Sequence, residues 1–168
     1  MSVNVPEGYN TINPFVITKD ARRFMQFLEK VFEAREVEEA YTMDTDGLLL
    51  HGELRIGNST IMVADTKEGW PFTPSLLQIY VEDVEKTLQR AQDLGASIVT
   101  RPTDFYGAIF SRFVDPWENL WWVYQHKAET TWAENTQTDG DATWATESNE
   151  LNYIHDTLLD TMKHLGRK

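Results

Sequence analysis

Apolar positions along the chain alternate and recur so as to predict a β-α-β-β-β order, and then the same order again. Thr11–Ile17 reads as a strand that Pro14 confines to an edge or a bulge. Asp20 stands where a helix N-cap belongs, and Phe24, Phe27, Leu28 and Val31 follow at helical spacing. Glu36–Met43 is expected as a strand, followed by a hairpin turn at Asp44-Thr45-Asp46-Gly47. Leu48–Ile56 and Ser59–Asp65 follow as strands, joined by the tight turn Gly57-Asn58. Residues 9–65 thus make module one, behind a lead-in of residues 1–8.

Residues 66–74, with Gly69, Pro71 and Pro74, read as a linker. Module two, residues 75–126, opens with the alternating strand Ser75–Val81. Asp83 then caps a helix carrying Val84, Leu88, Ala91 and Leu94, closed by Gly95. Ser97–Arg101, Ala108–Val114 and Leu120–His126 supply three strands. A shift of 63 positions lays Asp20 on Asp83, Ala21 on Val84 and Val31 on Leu94. Sequence identity between the halves is low, so the order of elements carries the inference of duplication. The class is α+β.

Residues 127–146 form a polar arm with Trp132 and Trp144 as isolated large apolar groups. Residues 147–168 are expected as an amphipathic helix, with Leu151, Ile154, Leu158, Met162 and Leu165 on one stripe. Early Glu147 and Glu150 and late Lys163, Arg167 and Lys168 suit the helix dipole. Such a stripe needs a surface, this domain's own or a partner's.

The stretch Phe113–His126 organises the second half. Pro116 fixes a turn in which Asp115 and Asn119 can bond their own backbone, and a strongly apolar strand follows. Leu120, Trp122 and Tyr124 form one alternating set, which either fills a core or lines a site.

At 168 residues the chain accommodates one domain with an appendage, or two small modules. It has no cysteine, which excludes disulfides, thiolate metal sites and thiol nucleophiles. The net charge of -12 argues against nucleic acid as a partner, since phosphate binding needs a cationic face. No apolar run is long enough to span a bilayer, and the N-terminus lacks a basic start and apolar block, so a cytoplasmic location is expected.

There is no GxSxG elbow, no HExxH and no glycine-rich phosphate loop. The compact polar cluster is His51, Glu53 and Arg55, which period two places on one strand face, with Leu50, Leu54 and Ile56 on the other. A His and a Glu two apart can hold a metal, or act as base and orienter; equally, they can form a cross-strand-paired polar face. His126 ends a strand, and His155 and His164 are expected to be solvated on the C-terminal helix.

Three motifs, Gly8-Tyr9-Asn10-Thr11-Ile12-Asn13-Pro14-Phe15, the segment from His51 to Ser59, and Asp115 to Trp122, resemble the vicinal oxygen chelate superfamily. The superfamily includes glyoxalase I, extradiol dioxygenases and bleomycin-resistance proteins, and the chain is most similar to the PhnB-like branch. The resemblance covers residues 8–126. It implies two modules whose mixed sheets form a cup with helices outside, a ligand site within, and a homodimer. The metal ligands of metal-dependent members fall here on Asn13, Met62, Leu76 and Trp122. Three of these cannot hold a hard divalent ion, so no cofactor is expected, a divalent metal included. Asn10 replaces the family's usual histidine, and Glu118 replaces the glycine of its turn.

The resemblance therefore implies a metal-free binder of a small apolar or aromatic molecule. Asn13, Phe15, Met62, Leu76, Gln78, Tyr80, Trp122 and Tyr124 are the candidate ligand-binding residues, with His51 and Glu53 as ligand-binding or catalytic candidates and with Thr60, Ala64 and Leu120 on the same faces. One alternative is a metal-dependent lyase, isomerase or dioxygenase with a displaced site around His51 and Glu53. The other is a non-catalytic dimeric interaction module.

Overall fold

The computed structural model describes residues 4–127 and 148–167. Residues 128–146 of the expected arm, with Trp132 and Trp144, and Glu147 and Lys168 of the expected helix lie outside the described residues. The chain divides into two compact units, residues 1–73 and 74–168.

The first unit holds strands β1 (Phe15–Thr18), β2 (Arg35–Glu36), β3 (Thr42–Met43), β4 (Leu49–Ile56) and β5 (Ser59–Asp65), with helix α1 (Ala21–Phe32). The sheet runs β1-β5-β4-β2, β1 parallel to β5 and the other pairs antiparallel, while β3 pairs with β4. Phe24, Met25, Phe27, Leu28 and Val31 of α1 are buried, as are Val16, Leu54 and Val63 of the sheet.

Four local expectations change. The first strand starts only at Phe15, because Asn10 and Asn13 close a turn ahead of Pro14. Asn10 N–H donates to Asn13 Oδ1 at 3.0 Å, and Asn13 Nδ2 donates to the Asn10 carbonyl at 2.6 Å. Asp20 sits at the N-cap in left-handed geometry (φ 52°) with no capping bond of its own. Asp65 does that work: its Oδ1 accepts from Ala21 N–H and its Oδ2 from Leu49 N–H, both at 2.8 Å. The expected strand 36–43 is broken by a 3-10 turn at Glu38–Ala40, where Glu-Glu-Ala offers neither alternation nor β-branching. Finally, Leu50 is 48% exposed and Leu49 takes the buried place. One step along β3, from Thr42 to Met43, spans two along β4, from His51 to Leu49, so Leu50 is the extra residue of a bulge.

The second unit holds β6 (Leu76–Tyr80), α2 (Val84–Asp93), β7 (Ser97–Phe105), β8 (Ala108–Val114), β9 (Leu120–His126) and α3 (Asn149–His164). Its sheet runs β6-β9-β8-β7, with β6 parallel to β9. The Asp83 side chain accepts from Lys86 N–H at 2.9 Å as the helix cap. At the other end Gly95 (φ 94°) closes a Schellman motif, with Ala96 N–H on the Ala91 carbonyl and Gly95 N–H on that of Gln92. Strand β7 runs four residues past the expected Arg101, because its pairing shifts between Thr100 and Thr103 and the edge position spares Pro102 a missing bond.

The turn between β8 and β9 is tied to one carboxylate. Asp115 Oδ1 accepts from Trp117 N–H and Asn119 N–H, and its Oδ2 accepts from Asn119 Nδ2 and Trp121 Nε1. Burial pushes the Asp115 carboxyl up, and these four donors oppose that shift. Glu118 adopts φ 67°, the left-handed geometry that glycine takes freely, so the turn keeps its form at the cost of strain.

Helix α3 packs on β7 of its own unit: Thr157 Oγ1 meets Thr100 Oγ1 at 2.8 Å, and the Tyr153 hydroxyl accepts from Arg101 N–H. Its apolar stripe is only partly seated. Ile154 is buried, whereas Met162 remains 45% exposed.

Candidate functional site

In the first unit β4 brings His51 and Glu53 together. His51 Nε2 lies 2.9 Å from Glu53 Oε1, and the Tyr9 hydroxyl donates to Glu53 Oε2 at 2.6 Å. Tyr9 is held there by Gly8, whose carbonyl accepts from Thr60 Oγ1. Gly8 (φ 86°) is also pressed against the Arg55 guanidinium so closely that a Cβ would collide with it. Glu53 is 6% exposed. Burial alone pushes its carboxyl up. The hydrogen bonds from Tyr9 and His51, with the charges of His51 and Arg55, outweigh burial and hold it below the usual glutamate range. The same hydrogen bond raises the Tyr9 phenol. Register sets Phe15, Met62 and Glu53 in one row across the sheet, and the His51 ring tilts against Phe15 at 5.9 Å. Asn13 stays off the strand, its amide spent on the Asn10 turn.

In the second unit register places Gln78, Trp122, Arg112 and Thr100 in one row, and Tyr80, Tyr124 and Phe110 in the next. Leu76 (53%) and Tyr80 (58%) are exposed, and Trp122 and Tyr124 are half-buried. The rings of Tyr80 and Tyr124 are 5.5 Å apart, and Gln78 Nε2 donates to the Tyr80 hydroxyl at 3.3 Å. Leu120, of the same alternating set, is fully buried and belongs to the core. The opposite set, Trp121 and Val123, is also buried.

Arg112 is 4% exposed. Its guanidinium lies over the rings of Phe110 (4.6 Å) and Trp122 (5.2 Å). Nη1 donates to the Ile154 carbonyl of α3 at 2.8 Å and to Thr100 Oγ1 at 3.3 Å, while Nε has no acceptor. Desolvation lowers its pKa to about 10, so the group stays charged at neutral pH.

A shallow hollow of about 630 Å³ lies elsewhere in the second unit, lined among others by Pro102, Phe105, Tyr106 and Leu151. None of the candidate ligand-binding or catalytic residues named from the sequence lines it.

Residues 10–123 match the family described as the Glyoxalase/Bleomycin resistance protein/Dioxygenase superfamily. The chain belongs to this superfamily. It is 30% identical over 146 residues to an uncharacterized protein of Mycobacterium tuberculosis, an alignment covering 80% of this chain and 83% of that protein. Among solved structures it is similar to TioX from Micromonospora sp. ML1, with TM-score 0.54, 24% identity, and coverage of 68% of this chain and 98% of that one. It is also similar to the PhnB protein from Bacillus cereus, described as a putative 3-demethylubiquinone-9 3-methyltransferase, with TM-score 0.54, 18% identity, and coverage of 69% and 99%. At these identities the solved structures support the fold alone.

The superfamily's metal-dependent members raise the question of a divalent ion. The side chains that the family resemblance assigns to the metal positions, Asn13, Met62, Leu76 and Trp122, are a donor set that does not suit one, since two are hydrocarbon or indole, one is a thioether, and the Asn13 amide is already bonded. His51 and Glu53 bring two donors, and no group of three or more His, Cys, Asp or Glu suited to a metal occurs among the described residues.

Sequence reasoning missed two residues. The Tyr9 contact to Glu53 spans 44 positions, and no local pattern announces it. Arg112 did carry a signal, a lone cation at an alternating position inside the apolar strand Ala-Ile-Phe-Ser-Arg-Phe-Val. No helix among the described residues is long and apolar enough to cross a membrane.

Proposed function

We propose that this superfamily member binds a small apolar or aromatic molecule, without a metal, on the sheet face that carries Leu76, Gln78, Tyr80, Trp122 and Tyr124. The observation behind this reading is the exposure of that face: Leu76 and Tyr80 lie more than half open beside the half-buried rings of Trp122 and Tyr124. A sheet face so rich in aromatic carbon normally packs against something. Gln78 adds a polar group to orient the ligand.

The test is titration with the neutral fluorophore N-phenyl-naphthylamine. Saturable binding is expected, weakened about tenfold in Trp122→Ala by loss of the stacking surface. A folded Trp122→Ala protein that binds as tightly overturns the assignment. A homodimer, expected from the family resemblance, is checked by light scattering of the eluting protein.

The contact between His51 and Glu53 favours a second reading, an acid–base centre. In the tautomer that donates Nε2–H to Glu53, Nδ1 is left as the ring's acceptor, and the Glu53 carboxylate fixes the ring. If this pair instead recruits a divalent ion, manganese added to metal-stripped protein binds stoichiometrically in calorimetry, and His51→Ala abolishes the signal. Equal heats from the two proteins end the metal version.

A further inference from the structure

A buried guanidinium normally has a carboxylate beside it, because taking a cation out of water costs several kcal/mol that only a charged partner recovers. Arg112 has none among the described residues. Its acceptors are one helix carbonyl and one threonine hydroxyl, both neutral, and Nε bonds to nothing. The Ile154 carbonyl is moreover shared, since Thr157 Oγ1 also donates to it at 3.1 Å. Asp156 and Asp160 of the same helix are exposed, so carboxylates available nearby in sequence are not used to neutralise the cation. The guanidinium carbon lies 4.6 Å from the Phe110 ring and 5.2 Å from the Trp122 ring, so the apolar contacts of the group are aromatic, and its N–H groups remain the means of holding an anion.

We propose that Arg112 is the anchor for the oxyanion head, a carboxylate or sulfonate, of a ligand whose flat apolar body lies on Trp122, Tyr124 and Tyr80. The Ile154 carbonyl of α3 holds the anion's place in the unliganded protein and gives it up on binding. This inference rests on the binder reading above and deepens it from an aromatic molecule to an aromatic anion.

Three features fit. Trp122 is the register neighbour of Arg112, so head and body are served by one row of the sheet. The cation–π contacts hold the guanidinium in place before the anion arrives, so little side-chain freedom is lost on binding. Helix α3, with Ile154 its buried residue and Leu159 and Met162 nearly half exposed, is lightly seated and can yield the position. A charged acceptor in the bidentate geometry that guanidinium favours is a stronger partner than the shared carbonyl it replaces.

Equilibrium dialysis with β-naphthoate and its neutral isostere β-naphthamide tests the proposal. Wild-type protein is expected to prefer the carboxylate by about tenfold or more, and Arg112→Gln to bring the ratio to about one. Equal binding of the two probes by wild type overturns the anchor and leaves the binder reading standing, and so does an unchanged ratio in Arg112→Gln. Binding of neither probe overturns both. Should Arg112→Gln fail to fold, amide hydrogen exchange of the wild type decides. Faster exchange at residues 151–158 with naphthoate and not with naphthamide supports displacement of α3, and identical exchange with both overturns it.

Discussion

The two sheets place opposite charges at equivalent positions and treat them differently. In the first, Glu53 on β4 pairs in register with Met62 on β5; in the second, Arg112 on β8 pairs with Trp122 on β9. Both strands are internal, and both charged residues are buried. Glu53 is answered by a hydroxyl and an imidazole and sits in a closed set of hydrogen bonds. Arg112 is left with neutral acceptors and an orphaned Nε. A duplicated β-α-β-β-β order therefore preserves where a side chain stands without preserving what satisfies it. The satisfied charge belongs to the architecture of its unit. The unsatisfied one costs stability, which is how groups kept for a ligand behave.

That contrast predicts effects of opposite sign. Glu53→Leu strands the Tyr9 hydroxyl and His51 beside a buried apolar group, and is expected to destabilise by about 2–3 kcal/mol. Arg112→Met removes an uncompensated buried cation while keeping an unbranched stem among the aromatic rings. It is expected to stabilise by about 1–2 kcal/mol and to lose any preference for anions. Urea unfolding of both variants checks the pair. If Arg112→Met destabilises as much as Glu53→Leu, the guanidinium is a structural tie for α3 and the comparison collapses.

How much of this was legible in the sequence depended on how local the cause was. Strands Ser59–Asp65, Ala108–Val114 and Leu120–His126 occur at their expected limits, because each is bounded by turn residues that act within a few positions. Asp83 caps its helix as expected for the same reason, whereas Asp20 does not. The donor at Ala21 is met by Asp65, which reaches it only once β5 lies beside the helix start. The exposure of Leu50 depends on a bulge set by the pairing of β3 with β4, which alternation along one strand cannot reveal. His51 and Glu53 could be paired from period two, but Tyr9 required the fold. Arg112 was visible as a residue type out of place, and its missing partner was visible only in three dimensions.

The hairpin turns extend the comparison at smaller magnitude. Gly57 takes φ 57° between β4 and β5, and Glu118 takes φ 67° between β8 and β9. Glycine holds that conformation without strain, and glutamate does not. Glu118→Gly is therefore expected to stabilise by about 0.5–1 kcal/mol, and Gly57→Ala to destabilise by about 1 kcal/mol. Thermal midpoints that move the same way in both variants would show that the two turns are not alike.

The smallest expected effect lies in pH. The folded-state carboxyl of Glu53 titrates below its unfolded value, so the ionised form stabilises the fold. That contribution is fully present above the unfolded glutamate pKa of about 4.3 and is lost as pH falls through the lower folded value. Glu53→Gln keeps the size of the side chain and removes the titration. The stability gap between wild type and Glu53→Gln is therefore expected to be constant near neutral pH and to shrink below about pH 4. Arg112→Gln differs from wild type by a group that keeps its proton throughout that range, so its gap stays flat over the same interval. A gap for Glu53→Gln that persists unchanged into acid would mean that Tyr9 and His51 serve the protonated carboxyl equally well, and that the first sheet neutralises its charge by holding the proton and not by hydrogen-bonding the anion.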